Sequence, residues 1–426
     1  MGSDSILFQN VRLALPGGLT PGDMLISGGI ITGINTAADT AARGDGSGEN
    51  GTGAAENGRG GNTAADKGAG TTFGALLVNG KGRILAPGFI DLHCHGGAGG
   101  DLGDGERGAF FVMEEFHRSH GITAFMPSLS TDPMPKLERA CSVIRQIMRE
   151  THEDRAEILG IHFESPYISP KYRGCQAAEH LLPFDRRAME FIEKNRDIIT
   201  RITAAPELEG VLDAIPRIRE MGIIFSGGHT DADAATFREA ADRGMSMVTH
   251  LFNAMSSVRK EGPFRIPGAL EAALTDDRLF TECIADGWHV PAELLQMAWR
   301  CKGRDRFMLC SDASRAAGYS GSGPLFICGQ EAIVEHGVAM VKDRSSLASS
   351  AVALDSMVRF LVKKAGFPLV AALEAASRVP AMAAGVEGRK GRLETGYDAD
   401  LVLLNDELEV LRVWRGGREI FNVQHG

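Results

Sequence analysis

No stretch of this chain approaches the ~20 uninterrupted apolar residues that a membrane-spanning helix needs, so nothing is expected to cross a bilayer. Basic residues are in deficit: 45 Lys and Arg face 55 Asp and Glu, a net charge of −10. That excludes the basic stripe of a nucleic-acid surface. It also means that an anionic substrate must be held by local cations rather than drawn in by the overall field. Cysteines are few, seven in 426 residues, and their odd number and unpaired spacing exclude a disulfide framework. Met1 to Asn10 lacks a basic region followed by an apolar run, so no secretory signal is expected. Ile6 breaks the myristoylation pattern that Gly2 begins. The expected compartment is the cytoplasm.

What remains is the composition of a soluble globular protein, 43% hydrophobic and 23% charged. A chain this long favours one large domain with a smaller one. The first 34 residues read as short strands, with turns at Gly17-Gly18 and Gly28-Gly29. From Thr36 to Thr72 the sequence offers Gly, Ala, Asn, Thr and scattered charges but nothing apolar larger than Ala, so 36–72 is expected to be a disordered insertion. Its glycines lack the strand–loop–helix setting of a phosphate cradle. From Arg83 short apolar runs alternate with amphipathic stretches, the pattern of a parallel sheet with crossover helices.

Eight strands are expected: Ile84–His95, Ile122–Leu129, Ile158–Glu164, Ile202–Pro206, Ile223–His229, Ser246–Phe252, Thr281–Asp286 and Phe307–Asp312. Helical patterns fall between them, at Glu106–His120, Met134–Glu150, Arg186–Asn195 and Pro291–Cys301. This predicts an α/β fold, a (β/α)8 TIM barrel, over residues 87–384. Residues 1–86 and 385–426 are β-rich, and the expectation is one small β-sandwich built from both termini.

The polar residues stand where these strands end: His93 and His95, Glu164, His229, His250 and Asp312. In such a barrel the strand C-termini converge on one face, where active sites are built. His93 and His95 share a strand face with Asp91 below them, while Cys94 points the other way and reads as core. Imidazoles with carboxylates suit one or two divalent cations, Zn or Fe, with a position left for water. Asp312, at the mouth of the last strand, is placed for general acid–base work or for orienting a ligand.

Several runs carry a family resemblance. They are Ala86-Pro87-Gly88-Phe89-Ile90-Asp91-Leu92-His93-Cys94-His95-Gly96, Gly160-Ile161-His162-Phe163-Glu164-Ser165-Pro166 and Thr249-His250-Leu251-Phe252-Asn253-Ala254-Met255. Gly228-His229-Thr230, Ala285-Asp286-Gly287-Trp288-His289 and Ser311-Asp312-Ala313 continue them in order. Together they resemble the N-acetylglucosamine-6-phosphate deacetylases of the amidohydrolase superfamily, over nearly the whole chain outside Thr36–Thr72. The resemblance implies that Glu164, His229 and His250 hold the principal metal, that His93 and His95 serve a second, and that Asp312 is the catalytic acid/base. It implies substrate contacts from Cys175, Gln176, Asn253, Ala254, Asp286, Gly287, Trp288, His289, Leu347, Ala348 and Ser349. Arg265, with Arg259 as the alternative, would reach a sugar phosphate from a neighbouring subunit, which implies a homodimer. Ser165 and Ser349 stand where the family has glycine.

The expected reaction is attack of a metal-activated water on the acetyl group of N-acetylglucosamine 6-phosphate, with Asp312 protonating the amine. Rival expectations are a deacetylase of N-acetylgalactosamine 6-phosphate or another N-acyl substrate, and a non-catalytic protein that kept the fold. The latter would be expected to have lost ligands that this sequence retains.

Overall fold

The structure, a computed structural model, describes residues 5–36, 74–335 and 337–423. Eight parallel strands follow one another in chain order: Phe89–Cys94, Ile122–Leu129, Ile161–Glu164, Ile199–Ala204, Ile224–Gly227, Met247–Val248, Phe280–Cys283 and Phe307–Leu309. Almost every residue in them is buried, because helices cover the outside and side chains fill the inside. The amphipathic stretches are helices, among them Arg107–Ser119, Met134–Met148 and Arg186–Lys194. Asp185 starts the last of these by accepting from the amides of Arg187 at 2.8 Å and Ala188 at 3.2 Å. The Arg187 amide has no carbonyl partner within the helix.

The ring closes just past the strands. The amide of Asp312 donates to the carbonyl of His93 at 2.9 Å, and that of His95 donates to Ala313 at 2.8 Å. Asp91 Oδ1 fills the seam, accepting from the amides of His93 and Ser311, each at 3.2 Å. The (β/α)8 barrel is therefore present, with Ile122–Leu129 at its expected bounds and six of the other strands shorter than the apolar runs suggested. Ile84–His95 is two elements, Leu76–Pro87 in a separate sheet and Phe89–Cys94 in the barrel. They part at Gly88, where an added Cβ would lie 2.3 Å from Thr123 Oγ1. The fourth strand starts at Ile199 rather than Ile202, so the buried charge of Arg201 lies inside it.

Seven strands from both ends of the chain form the small β domain. They are Ser5–Leu15, Gly18–Ser27, Ile30–Thr36, Leu76–Pro87, Leu401–Leu404, Val410–Arg415 and Arg418–Asn422, joined in one hydrogen-bonded path. Phe8 and Trp414 meet edge to face in its core, ring centroids 4.9 Å apart. Of the stretch expected to be disordered, Thr36 ends a strand, and residues 37–72 lie outside the described residues. Lys390 docks this domain on the barrel. Its Nζ lies 2.5 Å from Asp400 and 2.8 Å from Glu157, which pairs with the second barrel strand.

One feature escaped the sequence patterns. Leu325–Ile327, Gln330–Glu335, Val338–Val341 and Leu347–Ser350 form a four-stranded antiparallel sheet at the barrel mouth. Its strands are short and only part-buried, so their alternation is weak in the sequence.

Candidate metal centre

His93 and Glu164 lie within barrel strands, whereas His95, His229, His250 and Asp312 stand one to three residues beyond them. Leaving the ladder lets the backbone turn sharply: φ is 48° at His229, 29° at His250 and 44° at Asp312. A side chain in this left-handed region costs on the order of 1–2 kcal/mol. Such strain persists only where surrounding contacts over-determine it.

The six side chains meet. Glu164 Oε1 lies 3.2 Å from Nε2 of both His229 and His250, and those two nitrogens are 3.1 Å apart. Beside this group, the Nε2 atoms of His93 and His95 are also 3.1 Å apart. Asp312 Oδ1 is 3.2 Å from His95 Nε2 and 3.5 Å from His93 Nε2. Glu164 spans the two groups, with Oε2 3.5 Å from His95 Nε2.

The outer partners of the rings decide what can fill the centre. His229 Nδ1 donates to the Tyr172 carbonyl at 2.8 Å, and His93 Nδ1 donates to Glu282 Oε1 at 2.8 Å. His95 Nδ1 pairs with Ser130 Oγ at 2.9 Å. A neutral imidazole that donates from Nδ1 has a bare lone pair on Nε2. At the His93–His95 pair, bare lone pairs 3.1 Å apart repel unless a cation or proton lies between them. The donor set and its orientation therefore fit a divalent cation. Burial alone would lower the basicity of His95 and His250. Hydrogen bonds to Asp312 and Glu164 respectively, with the charge of both carboxylates, outweigh it and lift each to about 9. Protons and metal thus compete for the same atoms. Burial raises the Asp312 carboxyl, but the charge of His93 and a hydrogen bond with His95 hold it below its usual range.

Beneath the histidines is a charged layer that the sequence reading passed over. Arg201 and Glu282, both fully buried, form a two-pronged pair at 2.7 and 2.9 Å. Burial pushes Glu282 up, yet the charges of Arg201 and His93 bring it down to about 2. A charged residue inside each apolar strand, Ile199–Ala204 and Phe280–Cys283, was the available signal.

Above the metal-type ligands is a cavity of about 510 Å³, lined among others by His95, Glu164, Cys175, Gln176, His229, His250, Asn253, Ala254, His289, Asp312, Leu347 and Ser349. Such a volume suits a small-molecule site. Gln176 is clamped, its Nε2 donating to Glu164 Oε2 at 2.9 Å and its Oε1 accepting from Thr131 N at 2.7 Å. It therefore steadies the carboxylate. Asp286 does not line the cavity; its Oδ2 holds His289 Nδ1 at 2.7 Å, which turns the other ring nitrogen outward. Gly287 and Ala348 are also set back, and Trp288 is half exposed outside the lining. Arg265 lies on an exposed hairpin, Arg259–Glu261 paired with Phe264–Ile266, away from the lining of its own chain, and Arg259 pairs with Glu261 at 2.9 Å. Lys136, Lys171, Arg315 and Cys328 line the cavity without having been anticipated.

The two serines behave differently. Ser165 turns away from the cavity and donates to the Thr203 carbonyl at 2.6 Å. Ser349, at φ 84°, bonds to the Asp312 carbonyl and lies 3.4 Å from Asp312 Oδ1.

Comparison with known proteins places this geometry. The model of the amidohydrolase family matches residues 84–420. The N-acetylglucosamine-6-phosphate deacetylase of Bos taurus is 35% identical over 357 residues, covering 80% of this chain and 85% of that protein. An N-acetylgalactosamine-6-phosphate deacetylase of Escherichia coli O157:H7 is 30% identical, covering 79% of this chain and 87% of that protein. The crystal structure of N-acetylglucosamine-6-phosphate deacetylase from Pasteurella multocida superposes with a TM-score of 0.83 at 26% identity, covering 97% of this chain and 99% of that one.

Proposed function

This chain belongs to the amidohydrolase family, and we propose that it hydrolyses the N-acetyl group of N-acetylglucosamine 6-phosphate to give glucosamine 6-phosphate and acetate. One observation carries the reading: two pairs of imidazole Nε2 atoms, each 3.1 Å apart, converge with Glu164 and Asp312, and all of these residues except the wholly buried His93 line one cavity. One or two divalent cations, zinc or iron, would be held by Glu164, His229 and His250 and by His93 and His95. When bound they supply activation of water and polarisation of the acetyl carbonyl.

The chain's own groups do the rest. Asp312, kept ionised and facing the cavity, takes a proton from water and returns it to the departing sugar nitrogen. Gln176 and Glu282 hold Glu164 and His93 in register. The outward nitrogen of His289, the Asn253 amide and the Ala254 backbone face the sugar phosphate. Arg265 of a second copy completes that grip with a fork suited to phosphate, so the working unit is a homodimer. Among the described residues no helix is long and apolar enough to cross a membrane, in keeping with a cytoplasmic enzyme.

The experiment is acetate release from phosphorylated and unphosphorylated N-acetylhexosamines, with the metal varied. Preference for the glucosamine 6-phosphate derivative is the expected result. Preference for the galactosamine epimer would move the chain toward the activity named for its Escherichia coli relative. No release from any of them would sink the proposal.

A further inference from the structure

Two of the seven cysteines line the mouth of the cavity. Cys175 lies in the segment that leads into Gln176, and Cys328 is at the turn of the hairpin joining Leu325–Ile327 to Gln330–Glu335. Both line the cavity and pack against the same apolar cluster, close enough for Cys175 to perturb the Cys328 thiol. Gln330 Nε2 donates to the Cys175 carbonyl at 2.5 Å, so the backbones are also held together. Cys94, Cys141, Cys283 and Cys310 are buried, and Cys301 is exposed elsewhere.

The turn itself argues that Cys328 is there for its sulfur. Cys328 and Gly329 have φ of 50° and 77°, the two-residue hairpin turn that favours Asn-Gly or Gly-Gly. A cysteine gains nothing locally there and carries backbone strain.

Each sulfur is one step from the metal-type ligands. Cys175 precedes Gln176, whose Nε2 holds Glu164 Oε2 at 2.9 Å. Cys328 lines the cavity together with Ser130, whose Oγ pairs with His95 Nδ1 at 2.9 Å. We propose that Cys175 and Cys328 are a reversible oxidation site, whose disulfide ties the mouth hairpin to the Gln176 segment and lowers activity by disturbing Glu164 and His95. The loss of activity, though not the bond itself, rests on the deacetylase reading.

The oxidant is hydrogen peroxide. The Cys175 sulfur attacks its O–O bond, becomes a sulfenic acid and releases one water. The Cys328 sulfur then displaces a second water to form the S–S bond. Two thiols lose two electrons and one peroxide becomes two waters. The proximity of Cys175, and burial, push the Cys328 thiol up, which makes Cys328 the poorer attacking sulfur. An S–S bond of about 2.05 Å is shorter than any thiol–thiol contact, so the two segments must move together.

The test uses the full metal-loaded chain, reduced and then titrated with hydrogen peroxide, with the exposed Cys301 as internal control for oxidant reach. Unreduced proteolytic digests should give a 175–328 linked peptide two hydrogens lighter than its parts, and dithiothreitol should separate them. Acetate release should fall several-fold with the link and return with its reduction. Cys328→Gly, which suits the turn's backbone, and Cys328→Ser should each lose the link and keep equal activity before and after peroxide. Full oxidation of Cys301 with no 175–328 link would overturn the proposal, and so would equal inactivation of both variants. The link is read by mass whether or not the chain releases acetate, so this idea and the deacetylase reading fail separately.

Discussion

Glu282 accepts the Nδ1 proton of His93 at 2.8 Å while both side chains are wholly shielded from solvent. The same carboxylate takes both prongs of Arg201, so the orientation of a metal-type histidine depends on a buried ion pair. In Glu282→Gln the guanidinium would be left without a counter-charge. Breaking such a pair costs about 3–5 kcal/mol, and losing a carboxylate behind a ligating histidine costs about 10–100-fold in metal affinity. Urea denaturation and metal analysis of the purified variant check both. A variant of unchanged stability and metal content would show that the layer has no supporting role.

Asp312→Asn keeps the shape of the side chain and removes its ability to carry a proton. Turnover should fall on the order of 10²–10⁴-fold, while metal on Glu164, His229 and His250 is retained. Activity near that of the parent would remove Asp312 from the proton path.

Ser349→Gly separates strain from function. Glycine relieves a φ of 84°, a gain of about 1–2 kcal/mol that offsets a lost hydrogen bond of about 1 kcal/mol. Stability should change little. Loss of a donor near Asp312 Oδ1 makes its ionised form less favoured, so the acidic limb of the kcat/KM profile should move to higher pH. An unmoved limb would mean that the hydroxyl serves the backbone carbonyl alone.

Arg265→Ala should raise KM about 10–100-fold with kcat nearly intact, as for a lost charged hydrogen bond of about 1.5–3 kcal/mol. Mixing it with a Asp312→Asn chain should recover activity if the arginine acts across a dimer. Absence of recovery, with exchange of subunits verified, would return Arg265 to the solvent.

Glu157 is held at about 2, since Arg389 and Lys390 outweigh the upward push of burial. Its carboxyl is thus depressed below the unfolded value. The stability it contributes is present above about 4.5 and is lost as pH falls toward about 2. The difference in Tm between parent and Glu157→Gln should be largest near neutrality and shrink across that window. A difference independent of pH would show that Glu157 docks the small domain by shape rather than charge.

The six converging side chains were legible because barrel strands end at one face, so an apolar run followed by His, Glu or Asp already implies convergence. The Arg201–Glu282 pair was not. A charge inside an apolar strand is explained only by its opposite charge on a non-adjacent strand, and no spacing announces that. The mouth sheet was missed for a related reason: strands of three to six residues, part-exposed, leave no clear period.

By itself, the order of residues determined the eight-unit barrel, the β character of both ends and the identity of the six converging side chains. These follow from local patterns, since burial on two faces dictates apolar runs and chemistry dictates which polar residues close them. Only the tertiary structure decided the outer partners of His93, His95 and His229, where the strands stop, which serine touches Asp312 and that Cys175 and Cys328 line one cavity. Those depend on contacts between segments far apart in the chain, where position is settled by packing rather than by neighbours in sequence.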